Sequence, residues 1–230
     1  MNAYKGIVII ILMTSFAMSS KALGETREPA RPNVNKVFDV QKEDRINELA
    51  GLTVQGAFER LKAIEYQTDT SLMYKAVNMA FHGRKSEALM LARSYMGLPL
   101  KEVVGDRVIS SGRDFLVAKR IFETFPEDAT PVFVSLYEQG DAVTRGNVIR
   151  AAGNVAGGQE IRVLLIQALD DTSAYEEENP DSSGKPMRIC DLAYNQLVLR
   201  YNVRNVLRTI SPAHRLENRD YHISVLKGML

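Results

Sequence analysis

Cys190 is the only cysteine of the 230-residue chain, and the chemistry open to it is nucleophilic attack by a thiolate. That chemistry needs a neighbouring base, and no histidine stands near it in sequence. Ala193, Tyr194, Leu197 and Tyr201 share its helical face, which makes it a buried core thiol with no internal disulfide partner. The three histidines, His82, His214 and His222, are scattered; the last two stand eight apart on one face, but no acid or cysteine completes a zinc set around them. Asp170, Asp171, Glu176, Glu177, Glu178 and Asp181 crowd into twelve positions and offer oxygen ligands for Ca²⁺. They lack the order and the turn glycine of an EF-hand, so this stretch reads as a solvated, mobile loop. Gly184-Lys185 looks like the end of a phosphate loop, but Asn179 stands where that motif requires its earlier glycine and no strand precedes it. Carboxylates such as Glu59 and Glu65 cannot be paired into a general acid and base from sequence. No cofactor and no metal are expected.

The most informative pattern is a repeated phrase. Val148-Ile149-Arg150-Ala151-Ala152-Gly153-Asn154 returns 41 residues later as Ile189-Cys190-Asp191-Leu192-Ala193-Tyr194-Asn195. Asn147, Arg150 and Asn154 lie within one narrow arc of their helix, and Arg188, Asp191 and Asn195 occupy the same arc of the next. If the two helices stack side by side, these six residues form one polar stripe, with Arg150 facing Asp191. The stripe reads as a partner-binding groove on the inner face of a stack. The alternative is a solvated helix face, since exposed faces are polar by default. The basic residues Arg200, Arg204, Arg208, Arg215 and Arg219 follow it, spaced largely by four, and read as a rim of solvated arginines; the alternatives are that they neutralise the acidic loop or face an acidic partner.

The elements that must position these residues are helical. Thr53 is placed to cap a helix carrying Val54, Ala57, Phe58, Leu61 and Ile64; Leu72, Ala76, Val77, Ala80 and Phe81 form a second stripe, ending near His82-Gly83. Ala88, Leu91, Ala92, Tyr95 and Met96 form a third, closed by Gly97 and Pro99. The pattern predicts a fourth helix from Pro99, a fifth through Phe115 to Phe125 that Pro126 stops, a short one over 131–139, and a longer one over 141–157. A short helix over 159–170 follows, then the 172–185 loop, a helix from Pro186 to about Val203, and a last helix opened by Ser211-Pro212. No stretch alternates convincingly with period two, so the chain reads as almost entirely α. Short turns between consecutive helices make neighbours antiparallel.

The segment 148–157, with its second copy in 189–197, resembles the second-helix pattern of the HEAT-repeat family, and the likeness extends over 129–201. It departs from the family at Ile149 and Cys190, positions at which such repeats often carry arginine. The resemblance implies an all-α fold of antiparallel helix pairs stacked as a short right-handed α-solenoid, and it implies little about chemistry.

Lys5, the apolar run from Gly6 to Met13 and the small residues Ala22-Leu23-Gly24 read as a cleaved export signal, residues 1–24, with Ser19 as the alternative cleavage point. Only 15 uncharged residues separate Lys5 from Lys21, fewer than the ~20 that span a bilayer core, so no stable membrane insertion is expected. No cysteine follows either cleavage point to carry a lipid. Residues 25–40, with Pro29 and Pro32, read as an extended linker, and 41–230 as a single helical repeat domain. Removing Lys5 and Lys21 leaves 27 Lys and Arg against 28 acids, a near-neutral chain that argues against nucleic-acid binding. The expected function is therefore an exported, periplasmic or secreted, non-enzymatic protein-binding scaffold of the cell envelope. An inhibitor or immunity-type partner protein, and an accessory enzyme acting on an envelope polymer, are the alternatives.

Overall fold

Helix α2 (Val54–Leu61) begins where Thr53 Oγ1 accepts from the Gly56 backbone N–H at 3.0 Å. It buries Ala57, Phe58 and Leu61, and it ends there because Ile64 starts a separate short helix, α3 (Ile64–Thr68). The computed structural model describes residues 43–98, 101–104, 107–110, 112–155, 158–175 and 184–230. The expected export signal, the linker and the centre of the 172–185 loop, including Glu176, Glu177, Glu178 and Asp181, lie outside them. The described chain opens with helical residues 43–50, α1, whose Ile46 and Leu49 are buried. Asp69 caps α4 (Thr70–Phe81), a 3-10 turn at His82–Arg84 follows, and Gly97 closes α5 (Lys85–Met96).

The helix expected from Pro99 is not there. Strands β1 (Lys101–Val104) and β2 (Arg107–Ser110) pair antiparallel, in a register that runs from Lys101 opposite Ser110 to Val104 opposite Arg107. The local sequence explains the correction: Val103-Val104 and Val108-Ile109 are β-branched and flank Gly105-Asp106, a two-residue hairpin signal. The remaining elements are helical, and at the level of class the fold is all-α.

Helices α6 (Gly112–Thr124), α7 (Pro126–Gln139), α8 (Ala142–Ala152) and α9 (Gln159–Gln167) follow, then a 3-10 turn at Ala168–Asp170, α10 (Ile189–Arg200) and α11 (Leu216–Lys227). Pro126 does more than stop α6: it occupies the first turn of α7, where its missing N–H costs nothing. Pro131 therefore falls inside α7 instead of opening it. Immediately before it, Thr130 Oγ1 donates to the Pro126 carbonyl at 3.0 Å.

Packing runs along the chain and across it. Helix α5 packs on α6, α7 on α8 and α9 on α10, while α8 also packs on α10, α6 on α8, α5 on α7 and α7 on α9. Phe58 stacks on Tyr95 at 4.6 Å between ring centroids, and Phe122 meets Phe133 at 4.7 Å, tying α2 to α5 and α6 to α7. The α8–α10 contact is close because Gly153 has no side chain. A Cβ there would lie 1.7 Å from Gln196 Oε1. Helices α8 and α10 are buried nearly all round, Asn147 and Asp191 included.

Candidate functional site

Since α8 and α10 have almost no exposed face, the six stripe residues do not form a single open groove. Asn147 is fully buried; its Nδ2 donates to the carbonyls of Met96 and Leu98, both at 2.9 Å, fastening α8 to the end of α5. Asp191 is fully buried as well. It accepts from Arg188 and from Arg219 of α11, not from the expected Arg150. Asn195 binds the Ile210 backbone both ways, donating to its carbonyl at 2.9 Å and accepting its N–H at 2.7 Å. With Tyr194 Oη, which donates to the Leu207 carbonyl at 2.6 Å, it straps the irregular 201–215 segment to α10. Asn154 alone is exposed, two residues past the end of α8.

The α10 end of the stripe is an ionic centre. The Arg188 backbone N–H donates to Asp191 Oδ2 at 3.0 Å, closing the first turn of α10, and the Arg188 guanidinium reaches Asp191 at 2.9 Å and Asp220 at 2.7 Å. Burial works to lower the Arg188 pKa, but the hydrogen bonds to Asp191 and Asp220 outweigh it and hold the value above its ordinary one. Arg219, expected in a solvated rim, is completely enclosed. Its Nε donates to the His214 carbonyl at 2.9 Å, Nη1 to the Pro186 carbonyl and Asp191 Oδ2 at 3.0 Å each, and Nη2 to the carbonyls of Lys185 at 2.9 Å and Pro212 at 2.8 Å. All five guanidinium donors are thus used, which is what permits an arginine to be buried. Arg200, another member of that rim, donates to the Ala152 carbonyl at 2.9 Å and so caps the end of α8. Arg204, Arg208 and Arg215 are exposed as expected.

The α8 end is finished by the foot of the loop. Backbone bonds from Tyr175 to Met187 (2.8 Å), Ile189 to Ser173 (3.0 Å) and Cys190 to Asp171 (2.8 Å) lace 171–175 against 187–190. Within the expected 172–185 loop the foot 172–175 is thus bonded structure and not a solvated stretch. Arg145 holds Asp171 at 2.8 Å and Ser173 at 3.0 Å. Burial raises the Asp171 pKa, but hydrogen bonds from Ser173 and Arg145 prevail and leave it below the ordinary carboxylate value. Tyr175 then lies over Gly146, where a Cβ would come within 1.9 Å of its ring. Its hydroxyl donates to Asn147 Oδ1 at 2.7 Å and accepts from Arg150 at 3.3 Å, with the guanidinium 5.4 Å from the ring centroid.

Behind Arg150 lies a second charged group. Tyr74 donates to Glu123 Oε2 at 2.8 Å, Arg120 binds both, and Lys119 stands 3.7 Å from Glu123 Oε1. The Glu123 side chain is only 1% exposed, and Oε1 has no hydrogen-bond partner among the described residues. Burial depresses the Lys119 pKa; the Glu123 charge opposes that, and the positive charges of Arg120 and Arg150 add to it. Lys119 and Arg120 thus share one buried carboxylate.

Cys190 is buried as expected, at 2% exposure, with Sγ 3.9 Å from Asp191 Oδ1. Burial and the Asp191 charge push its thiol up to about 12, so it is not a thiolate at neutral pH. It sits at the base of a cleft of about 250 Å³ between the 168–170 turn, α10 and α11, which Asp170 and Asp220 also line. Each carboxylate is ion-paired, Asp170 with Lys227 and Asp220 with Arg188. No three metal-ligating side chains converge among the described residues, and no described helix is long and apolar enough to cross a membrane.

Sequence reasoning missed Gly146, Tyr175 and Arg219. A glycine inside a helical pattern is a signal of close approach, and a lone aromatic in an acidic loop is a signal of an anchor. The enclosure of Arg219 has no local signal, because its partners lie up to 34 residues away. On the surface, Tyr201 was read as part of the Cys190 face, yet it is 38% exposed and sits between Arg162 at 5.6 Å and Arg200 at 5.7 Å, beside Leu199 at 57%. No family model, curated protein or solved structure matches the chain.

Proposed function

We propose that the protein is an exported, non-enzymatic protein-binding scaffold of the cell envelope, built as a short right-handed α-solenoid of HEAT type. One observation carries the reading: α7 with α8 and α9 with α10 are consecutive pairs, and the pairs meet first helix on first and second on second. Side-by-side contact of equivalent helices is how a repeat buries its apolar face on the next. The export assignment rests on the sequence of residues 1–24. The polar stripe is consumed in holding the stack together, so the working surface shifts to the exposed α9–α10 edge. Tyr201 between two guanidiniums, next to Leu199, has the composition of an interface anchor and favours a client that presents carboxylates beside an apolar residue. An inhibitor or immunity-type protein is the same physical object with one dedicated client.

The cleft shared by Asp170 and Asp220 favours a second reading, an accessory enzyme acting on an envelope polymer. Capture on the immobilised mature protein from its own envelope fraction separates the two. The scaffold reading expects a stoichiometric protein partner that the Arg162→Glu/Tyr201→Ala variant retains at least tenfold less well at unchanged helicity, and an exported mass beginning at Glu25 or Ser20. Polymer turnover without a stoichiometric partner, lost in Asp170→Asn and Asp220→Asn, overturns it.

A further inference from the structure

We infer that Lys119 is a site of covalent carbonyl capture: its ε-amine condenses with a small aldehyde to give an imine, with Glu123 as the proton acceptor and Arg120 as the group that holds the oxygen. The inference is independent of the scaffold reading and goes beyond it.

Three neighbouring groups on α6 furnish what the reaction needs. The nucleophile is an amine outside any hydrogen bond. Among the described residues Lys119 Nζ donates none, whereas Lys62, Lys75 and Lys227 each donate to a carboxylate. The Lys119 side chain is 16% exposed, so the amine is largely withdrawn from water yet open to a small molecule. The proton acceptor is Glu123 Oε1, 3.7 Å away. Tyr74 and Arg120 occupy the other oxygen of this carboxylate, while Oε1 is buried without a hydrogen-bond partner among the described residues. A buried carboxylate oxygen is rarely left in that state, and here it has a lone pair for the ammonium proton. Arg120 makes its hydrogen bonds to Tyr74 and Glu123 through Nη1 alone, which leaves Nε and Nη2 to receive an oxyanion.

The charges around Lys119 favour the neutral amine. Glu123 and Arg120 face it from its own helix and Arg150 from α8, and Tyr74 of α4 binds the far side of the Glu123–Arg120 pair. Burial and the two guanidinium charges outweigh the attraction of Glu123 and hold the amine below its ordinary value. Lys62, bonded to Glu59 and Asp114, is shifted the opposite way. A lysine desolvated beside another cation is the kind that forms imines, because more of it is neutral at a given pH.

The step balances without an oxidant or reductant. Nζ passes a proton to Glu123 and attacks the carbonyl carbon; the C–N bond forms as the C=O π pair moves to oxygen, where Arg120 meets it. A proton then moves from nitrogen to that oxygen, Glu123 returns its own, and water leaves. Ammonium and aldehyde thus end as iminium and water, and the reverse path releases both.

The test is reductive trapping on the full chain with acetaldehyde and cyanoborohydride, the early ethylation of each lysine being read by peptide mass mapping. At pH 7 Lys119 should be ethylated about tenfold faster than Lys75 or Lys227, and its rate should level off at a lower pH than theirs. Unfolding in urea should erase that ranking. Arg120→Met removes both the adjacent cation and the oxygen holder, and should slow Lys119 to within about twofold of Lys75. If that variant does not fold, the wild-type ranking and its loss in urea decide alone. Ethylation of Lys119 no faster than that of Lys75, or a ranking that survives urea, overturns the capture site.

Discussion

The two copies of the repeated phrase carry polar residues at the same helical positions, yet they are closed off in opposite ways. On α10, Asp191 is locked between Arg188 and the enclosed Arg219, and the lock is ionic, saturated and dry. On α8, Asn147 and Arg150 are met by the ring and hydroxyl of Tyr175, a neutral cover. A repeated pattern therefore fixes which face of a helix needs a partner without fixing the partner. The α10 solution can only be structural, because withdrawing Arg219 would strand a charge. The α8 cover places no charge of its own in the interior.

The largest expected effect tests the rigid side. Arg219→Met leaves Asp191 without its enclosed cation and four carbonyls without donors, and should cost about 3–5 kcal/mol in urea unfolding. A cost below 1 kcal/mol would erase the contrast. On the other side, Gly146→Ala forces the Tyr175 ring to move and should cost about 1–3 kcal/mol. Adding Tyr175→Ala removes the collision, so the double variant should be more stable than the sum of the singles implies. Strict additivity would place the ring elsewhere.

A third test uses pH. The Cys190 thiol, at about 12 in the fold, keeps its proton over a range in which the unfolded chain has lost it. Its contribution is complete below the unfolded value of about 8.5 and should decline by about 1.4 kcal/mol per pH unit above it. Cys190→Ala should flatten that decline and leave the part due to Tyr137, whose phenol burial and the Asp171 charge also push up to about 12. Native Cys190 should resist alkylation that succeeds once the chain is unfolded. The smallest effect belongs to the Lys227–Asp170 pair at the mouth of the cleft. With 37% and 80% of the side chains exposed, Lys227→Ala should change stability by less than about 1 kcal/mol.

Much of the helical framework was legible because period 3.6 reports directly on which face a helix buries; α4, α5 and the burial of Cys190 follow from it. The hairpin escaped because four-residue strands are too short for alternation to stand out. The polar arc on α8 and α10 was visible, but what covers it was not. Tyr175 reaches Asn147 from 28 residues further along the chain, and Arg219 reaches Asp191 from the same distance in the same direction. Periodicity carries no information about contacts at that range. The same blindness turned Arg200 and Arg219 into rim residues, since an arginine that caps a neighbouring helix has the same spacing as one in water.

Arg219 also has a consequence in time. Its donors reach Lys185 and Pro186 before α10, Asp191 within it, and Pro212 and His214 before α11, so one side chain ties three stretches of chain that share no backbone ladder. Such a knot does not loosen strand by strand: releasing any one stretch exposes a charge that the others then hold without support. Fraying from the C-terminal end should therefore stop abruptly at α11. The amide protons of 187–191 and 216–226 should exchange with solvent together, on one slow clock, instead of fading gradually toward the last residue.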